Sequence, residues 1–203
     1  MTTPHTPIGL SSAALAAPAR ARPRGRPRKT ADERADGNRR RELLAVSARL
    51  FRQQGFAATS TRDIATAAGM QSGSPFYHFE NKQALLAAVM QEGMRSALER
   101  QNSALGALSA SVDSQRRLQA LVRNHFEVLL GPDSDFIPVM LYEWRALDPA
   151  QMGQINALKE AYEAAWIPVL KRLHADGALA GEPTLARLMI FGALNWSVQW
   201  YQP

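Results

Sequence analysis

From Asn38 onward the apolar residues recur at intervals of three and four, and no alternating β-branched run reaches strand length. The pattern predicts an all-α chain. Leu43, Leu44, Val46, Ala48, Leu50 and Phe51 carry the stripe of a first helix over residues 38–54, which Gly55 stops. In Thr59-Ser60-Thr61-Arg62-Asp63 a hydroxyl is followed three residues on by a carboxylate. This capping-box pattern starts a short helix reaching Ala68, with Ile64, Ala65 and Ala68 facing inward and Gly69 ending it. A second short helix covers residues 72–78, and Asn81 caps a long amphipathic helix bearing Leu85, Leu86, Val89, Met90, Met94 and Leu98. Four further stretches, 113–130, 135–146, 149–175 and 183–201, are separated by Gly131-Pro132, Asp148-Pro149 and residues 177–183. Pro168 falls inside the third of these and predicts a kink. Residues 1–37, rich in Pro, Ala, Thr and Arg without hydrophobic period, read as a disordered basic arm.

Charge sharpens this division. Residues 1–82 hold 14 Lys and Arg against 6 Asp and Glu, whereas residues 83–203 hold 10 against 12. One end suits a polyanion, either nucleic acid or an acidic membrane, and the other does not. The hydrophobic fraction of 46% provides for a substantial core. The chain has no cysteine, which excludes thiolate chemistry and fits a reducing cytoplasm. His5, His78, His125 and His174 lack metal-ligand spacing, so no metal and no cofactor is expected. Residues 8–21 are apolar, but no Lys or Arg precedes them, serines interrupt them and the charges follow; they do not form a signal peptide. No run of 18 apolar residues occurs, so no membrane partner is expected and the protein is placed in the cytoplasm.

Two short helices joined by a glycine turn, within a basic three-helix unit, have the physical form of a helix-turn-helix reader of double-stranded DNA. The second helix enters the major groove, where Gln71, Ser72 and Ser74 reach base edges; the Gln71 amide suits adenine. Thr61, Arg62, Tyr77, His78 and Lys82 are placed to hold phosphates, which fixes register without reading sequence. The N-terminus of the helix after Asn81 adds backbone donors for one more phosphate.

The order and spacing of Ala48-Arg49-Leu50-Phe51, Gly55-Phe56-Ala57-Ala58-Thr59-Ser60, Asp63-Ile64-Ala65, Ala68-Gly69-Met70, Gly73-Ser74, Tyr77-His78-Phe79, Asn81-Lys82 and Leu85-Leu86 resemble the DNA-binding domain of the TetR family of bacterial repressors. The resemblance covers residues 38–86. It implies that Gly73 lets the recognition helix approach the DNA, that Lys82 meets a phosphate, and that Phe51, Phe56, Ile64, Ala68 and Phe79 form a small core. Three positions depart from the pattern: Ser72 stands where lysine is frequent, Pro75 where an aliphatic residue is usual, and Phe76 where a tyrosine often touches phosphate. Tyr77 is the neighbouring hydroxyl that can replace the last contact. In the arm, Arg24-Gly25-Arg26-Pro27-Arg28-Lys29 resembles an AT-hook, placing Arg24, Arg26 and Arg28 in the minor groove of A·T-rich DNA. A solvated basic tail is the other reading of the same residues, and both stand at this point.

Residues 87–203 hold more large apolar side chains than a minimal core needs, and no nucleophile–base pair. They are read as a helical effector-binding and dimerisation domain. Phe126, Met140, Trp144 and Trp166 are candidate walls of an apolar small-molecule pocket, with ordinary packing as the other reading. His125 is either a satisfied buried histidine or a ligand sensor; Glu143 and Arg145 either greet a polar head group or pair at the surface. The last helix is apolar nearly all round, which burial against both its own domain and a second subunit explains. Leu188, Asn195, Trp196 and Gln199 are assigned to a homodimer interface, the two amides bonding across it; burial within one subunit is the alternative. Gly192-Ala193-Leu194-Asn195-Trp196 and Trp200-Tyr201-Gln202-Pro203 resemble TetR regulators of fatty-acid or steroid degradation, which respond to acyl-CoA thioesters. Members of that group continue beyond this point, so an interface or pocket incomplete near Pro203 is expected.

These features together predict a homodimeric, non-enzymatic repressor of a near-palindromic DNA operator, released by a small apolar or acyl-CoA-type effector. A non-specific architectural DNA binder using the arm is the alternative; it predicts steep salt dependence and little sequence discrimination.

Overall fold

The computed structural model, which describes residues 31–70, 75–131 and 134–201, is helical along the chain, with no strand among the described residues. The N-terminal unit comprises α1 (Ala31–Gln54), α2 (Thr61–Ala67), α3 (Pro75–His78) and the start of α4 (Lys82–Gly106). The remainder comprises α5 (Ser114–Leu130), α6 (Phe136–Glu143) with a 3-10 turn at Trp144–Ala146, α7 (Pro149–Ala164), α8 (Trp166–Ala175) and α9 (Pro183–Trp200). None of the described helices is long and apolar enough to cross a membrane.

Most boundaries follow from local hydrogen bonding at helix ends. Ser60 caps α2 in a reciprocal box: its hydroxyl accepts the Asp63 amide at 3.1 Å while the Asp63 carboxylate accepts the Ser60 amide at 2.8 Å. Asn81 caps α4, Asp113 caps α5, and Asp148 with Gln151 boxes the start of α7, where Pro149 occupies the first turn. Gly55 and Gly69 sit at φ +82° and +64° after α1 and α2, in the left-handed region where a side chain is strained.

Two boundaries differ from the sequence pattern. Helix α1 begins at Ala31, not at residue 38, so the expected disordered arm ends earlier. Residues 31–37 contain good helix formers and no proline, and helicity there needs no apolar stripe. The stretch 149–175 is two helices broken at Ala165. Pro168 cannot donate to the Ala164 carbonyl and its ring crowds that oxygen, so the bend falls one turn ahead of the proline.

Helix α4 is the spine, contacting α1, α5, α6 and α7. One apolar core runs through both halves: Phe51, Ile64 and Phe79 from the N-terminal unit join Leu85, Met90, Leu129 and Tyr162. Phe56 and Ala68 pack half-buried against it. A second cluster, Leu121, Trp166, Val169, Leu173 and Leu194, lies between α5, α8 and α9. Buried Gln101 ties the two regions, accepting the Trp166 indole N–H at 2.8 Å and donating to the Tyr162 carbonyl at 2.8 Å.

Helix α6 lies unusually close to α4. A Cβ added at Gly93 would stand 2.6 Å from Phe136 Cβ and 3.4 Å from its backbone carbon. Neither atom is the end of a flexible side chain. Replacing Gly93 with alanine gains about 1 kcal/mol of helix propensity, yet the overlap forces the two helices apart at a cost of about 1–3 kcal/mol. Gly93→Ala is therefore expected to lower stability by about 1 kcal/mol in urea titrations; a more stable variant would contradict the close approach.

Candidate nucleic-acid interface and apolar cavity

The N-terminal unit is built around the loop between α1 and α2. Phe51 is buried edge-on against Phe56, with ring centroids 5.4 Å apart. Thr59 is buried and its hydroxyl donates to the Gly55 carbonyl at 2.8 Å. Lys82 closes the loop: its ammonium donates to the Phe56 and Thr59 carbonyls, both at 2.8 Å, and lies 4.4 Å from the Phe56 ring centre. Expected to meet a phosphate, Lys82 is seen here bound to two carbonyls of its own unit. Two carbonyls and an aromatic face form a cation site inside the unit, and the side chain folds into it.

Of the other candidate DNA contacts, Arg62 is exposed, Thr61 is half-buried at the first turn of α2, and Tyr77 on α3 is 83% exposed. Such exposure is unusual for an aromatic side chain without a partner surface. His78 is half-buried, with Nδ1 3.8 Å from the Asp36 carboxylate of α1 and its ring edge-on to Tyr77. Arg40 of α1 lies 5.1 Å over the Phe79 ring. Gln71, Ser72, Gly73 and Ser74, and Arg24, Arg26 and Arg28 of the arm, lie outside the described residues.

The C-terminal half encloses a cavity of about 580 Å³ between α4, α5, α6, α7 and α9, a size suited to a small organic ligand. Its walls are mostly apolar, with Met94, Val128, Ile137, Met140 and Phe191 among them. At the outer end stand exposed Arg145 and half-buried Lys159, whose ammonium lies 5.2 Å from the centre of the Trp144 ring. Arg187 also lines the cavity and is paired with Glu163. At the inner end are buried His125 and Tyr162, with Asn195. His125 Nδ1 is 3.1 Å from the Tyr162 hydroxyl and Nε2 is 3.1 Å from Asn195 Oδ1. Burial lowers the His125 pKa to about 4, against a smaller opposing effect of the Asn195 hydrogen bond. Burial also raises the Tyr162 phenol, so it remains an O–H donor at neutral pH.

Met140 and Trp144 are on this cavity, but Phe126 and Trp166 are not. Phe126 points to the second cluster between α5, α8 and α9, and Trp166 is fully buried with its indole N–H bound to Gln101. Asn195, assigned from the sequence to the dimer interface, bonds to His125 at the cavity wall. Gln199 is exposed, yet its amide already donates to the Tyr142 hydroxyl at 2.6 Å within the chain. Leu188 and Trp196 do stand on the open face of α9, with Leu185, Met189 and Trp200, each more than half exposed. A continuous apolar face of this kind marks a surface that another molecule covers.

Sequence reasoning missed the residues joining the two halves. The Glu143 carboxylate at the end of α6 accepts the Phe56 backbone N–H at 2.9 Å. Arg52 of α1 pairs with Asp135 ahead of α6 at 2.9 Å, and the Gln83 amide of α4 donates to the Ala146 carbonyl at 2.7 Å. Met140, Leu141, Tyr142, Trp144 and Arg145 from the same stretch line the cavity. One short segment thus touches the cavity on one side and the DNA-reading unit on the other. Glu143 was visible in the sequence only as a carboxylate following an apolar run, and its partner lies 87 residues away.

Residues 43–89 match the family model described as bacterial regulatory proteins, tetR family, and residues 111–203 match the tetracyclin repressor-like C-terminal domain. The HTH-type transcriptional repressor KstR2 of Rhodococcus jostii (strain RHA1) is 27% identical over 177 residues, spanning 85% of this chain and 84% of that protein. The crystal structure of AibR in complex with isovaleryl coenzyme A and operator DNA is 26% identical, with a TM-score of 0.74 over 81% of this chain and 88% of that one. The crystal structure of superantigen PfiT is 35% identical, with a TM-score of 0.69 over 80% and 85% of the two chains.

The buried histidine makes stability depend on pH. Its folded pKa of about 4 lies below the ordinary 6.5, so the unfolded chain binds more protons between these values. Stability is therefore complete above the unfolded value and falls as pH drops through the window. Between pH 7 and pH 5 the loss is about 2 kcal/mol. Denaturant titrations at the two pH values should show this loss, and His125→Gln should remove most of it; an equal loss in the variant would place the titrating group elsewhere.

Proposed function

Because the chain belongs to the TetR family of bacterial regulatory proteins, we propose that it is a dimeric transcriptional repressor released from its operator by an acyl-CoA thioester. The observation that carries this reading is the segment from Asp135 to Ala146, which walls the cavity and holds α1 at Arg52, the loop ahead of α2 at Phe56 and α4 at Gln83. KstR2 is named a repressor, and AibR was crystallised with both an acyl-CoA and operator DNA. A cavity of about 580 Å³ accepts an acyl chain and leaves the nucleotide at the mouth. Arg145 and Lys159 supply positive charge there for its phosphates.

A second copy of the chain covers the exposed apolar face of α9, with Leu188 and Trp196 at its centre. The dimer then sets two recognition helices about 34 Å apart on a near-palindromic site. Arg62, Thr61 and Tyr77 hold the phosphate backbone, and residues 71–74 read bases. The basic arm with Arg24, Arg26 and Arg28 adds salt-dependent affinity. This activity belongs in the cytoplasm with the DNA, and involves no turnover of the bound thioester.

An acyl chain entering beneath α6 pushes on Met140 and Trp144. Glu143, Asp135 and Ala146 move with the helix and carry the loop at Phe56, whose carbonyl Lys82 fastens to the unit. Helices α2 and α3 are thereby reoriented. DNA and ligand oppose each other through the same two arrangements, and the coupling is reciprocal.

Selection of genomic fragments at near-physiological salt should enrich one near-palindromic motif that decanoyl-CoA releases; broad A·T-rich enrichment without a motif would contradict the reading. In Glu143→Ala the loop loses its acceptor. Acyl-CoA should still quench Trp144 fluorescence, while the ratio of operator affinities without and with ligand shrinks by about three- to tenfold. An unchanged ratio in fluorescence-anisotropy titrations would remove Glu143 from the coupling.

A further inference from the structure

The inner end of the cavity is chemically unlike its walls. With Asn195 Oδ1 facing His125 Nε2 at 3.1 Å, that ring nitrogen carries the proton and donates it. Nδ1 is then the acceptor of the Tyr162 O–H at 3.1 Å. These two bonds use both imidazole nitrogens, the phenol proton and one lone pair of the Asn195 carbonyl. They leave the Asn195 amide nitrogen, on the cavity wall, with no protein partner among the described residues. That half-buried amide stands on a wall shared with Met94, Val128 and Phe191, with its N–H groups free to meet an acceptor on a ligand. A cavity for a plain hydrocarbon chain has no use for such a donor.

We propose that His125, Tyr162 and Asn195 form a recognition site for an uncharged acceptor oxygen, a ketone or hydroxyl, near the tail end of the acyl group. The effector is then an oxygenated acyl-CoA, and this rests on the acyl-CoA reading given above. The exposure gradient sets the orientation. Arg145 and Lys159 at the mouth attract the phosphates, while the amide of Asn195 waits at the inner end beside buried His125 and Tyr162. A carboxylate does not suit the inner end. His125 stays neutral there at physiological pH, and Arg187, which also lines the cavity, is already paired with Glu163. A buried anion would therefore lack a counter-charge.

The test uses the full-length chain bound to its operator, with decanoyl-CoA and (ω−1)-oxodecanoyl-CoA as matched probes. Direct binding is followed by tryptophan fluorescence and release by anisotropy. The ketone form should bind and release at about tenfold lower concentration, one hydrogen bond's worth of discrimination. In Asn195→Leu, with folding checked by circular dichroism, this ratio should fall toward one. Equal potency of the two probes, or preference for decanoyl-CoA, would overturn the proposal and leave the acyl-CoA reading standing. Failure of both to bind the operator-competent protein would overturn both readings. A preference that persists in Asn195→Leu would remove this cluster from recognition of the oxygen.

Discussion

The close approach of α6 to α4 at Gly93 is the constraint on which the rest of the arrangement depends. Without a side chain there, the backbone of Phe136 settles directly on α4, and α6 runs across the junction between the two halves. Its inner residues then close the cavity, and its last carboxylate meets the Phe56 amide. Any larger residue at Gly93 would lift the helix from both duties together. The continuous core from Phe51 to Tyr162 has the same origin, because α4 passes through both halves and α6 is pressed against it.

Local chemistry was legible in the sequence wherever its partners lie within one helical turn. The capping residues Ser60, Asn81, Asp113 and Asp148 act on amides three positions away, so spacing alone reveals them. The helical pattern and the DNA-reading unit follow from periodicity in the same way. Direction across the interior was not legible. Phe126, Met140, Trp144 and Trp166 are all large and apolar, and only the angles between helices decide that two of them meet the void and two fill the core. Asn195 lies on a helix with apolar residues on several sides, so composition could not tell its inner face from its outer one. Nothing near Lys82 in sequence announces the two carbonyls it joins.

The cavity separates its electrostatic tasks by depth. Charged groups stand near water, where full desolvation is avoided, and the inner end uses neutral donors and acceptors. Burial that keeps His125 uncharged also keeps its two hydrogen bonds directional, because one nitrogen donates and the other accepts. An imidazolium would donate from both nitrogens and break the relay to Tyr162.

Division of labour along one short helix also bears on how such a protein changes over time. Met140, Leu141 and Trp144 face the cavity, whereas Asp135, Glu143 and the Ala146 carbonyl hold the neighbouring unit. The two sets interleave in sequence but do not share atoms. A lineage can therefore exchange the cavity-facing residues one at a time and acquire a new chemical signal, while the grip that converts occupancy into movement is inherited intact.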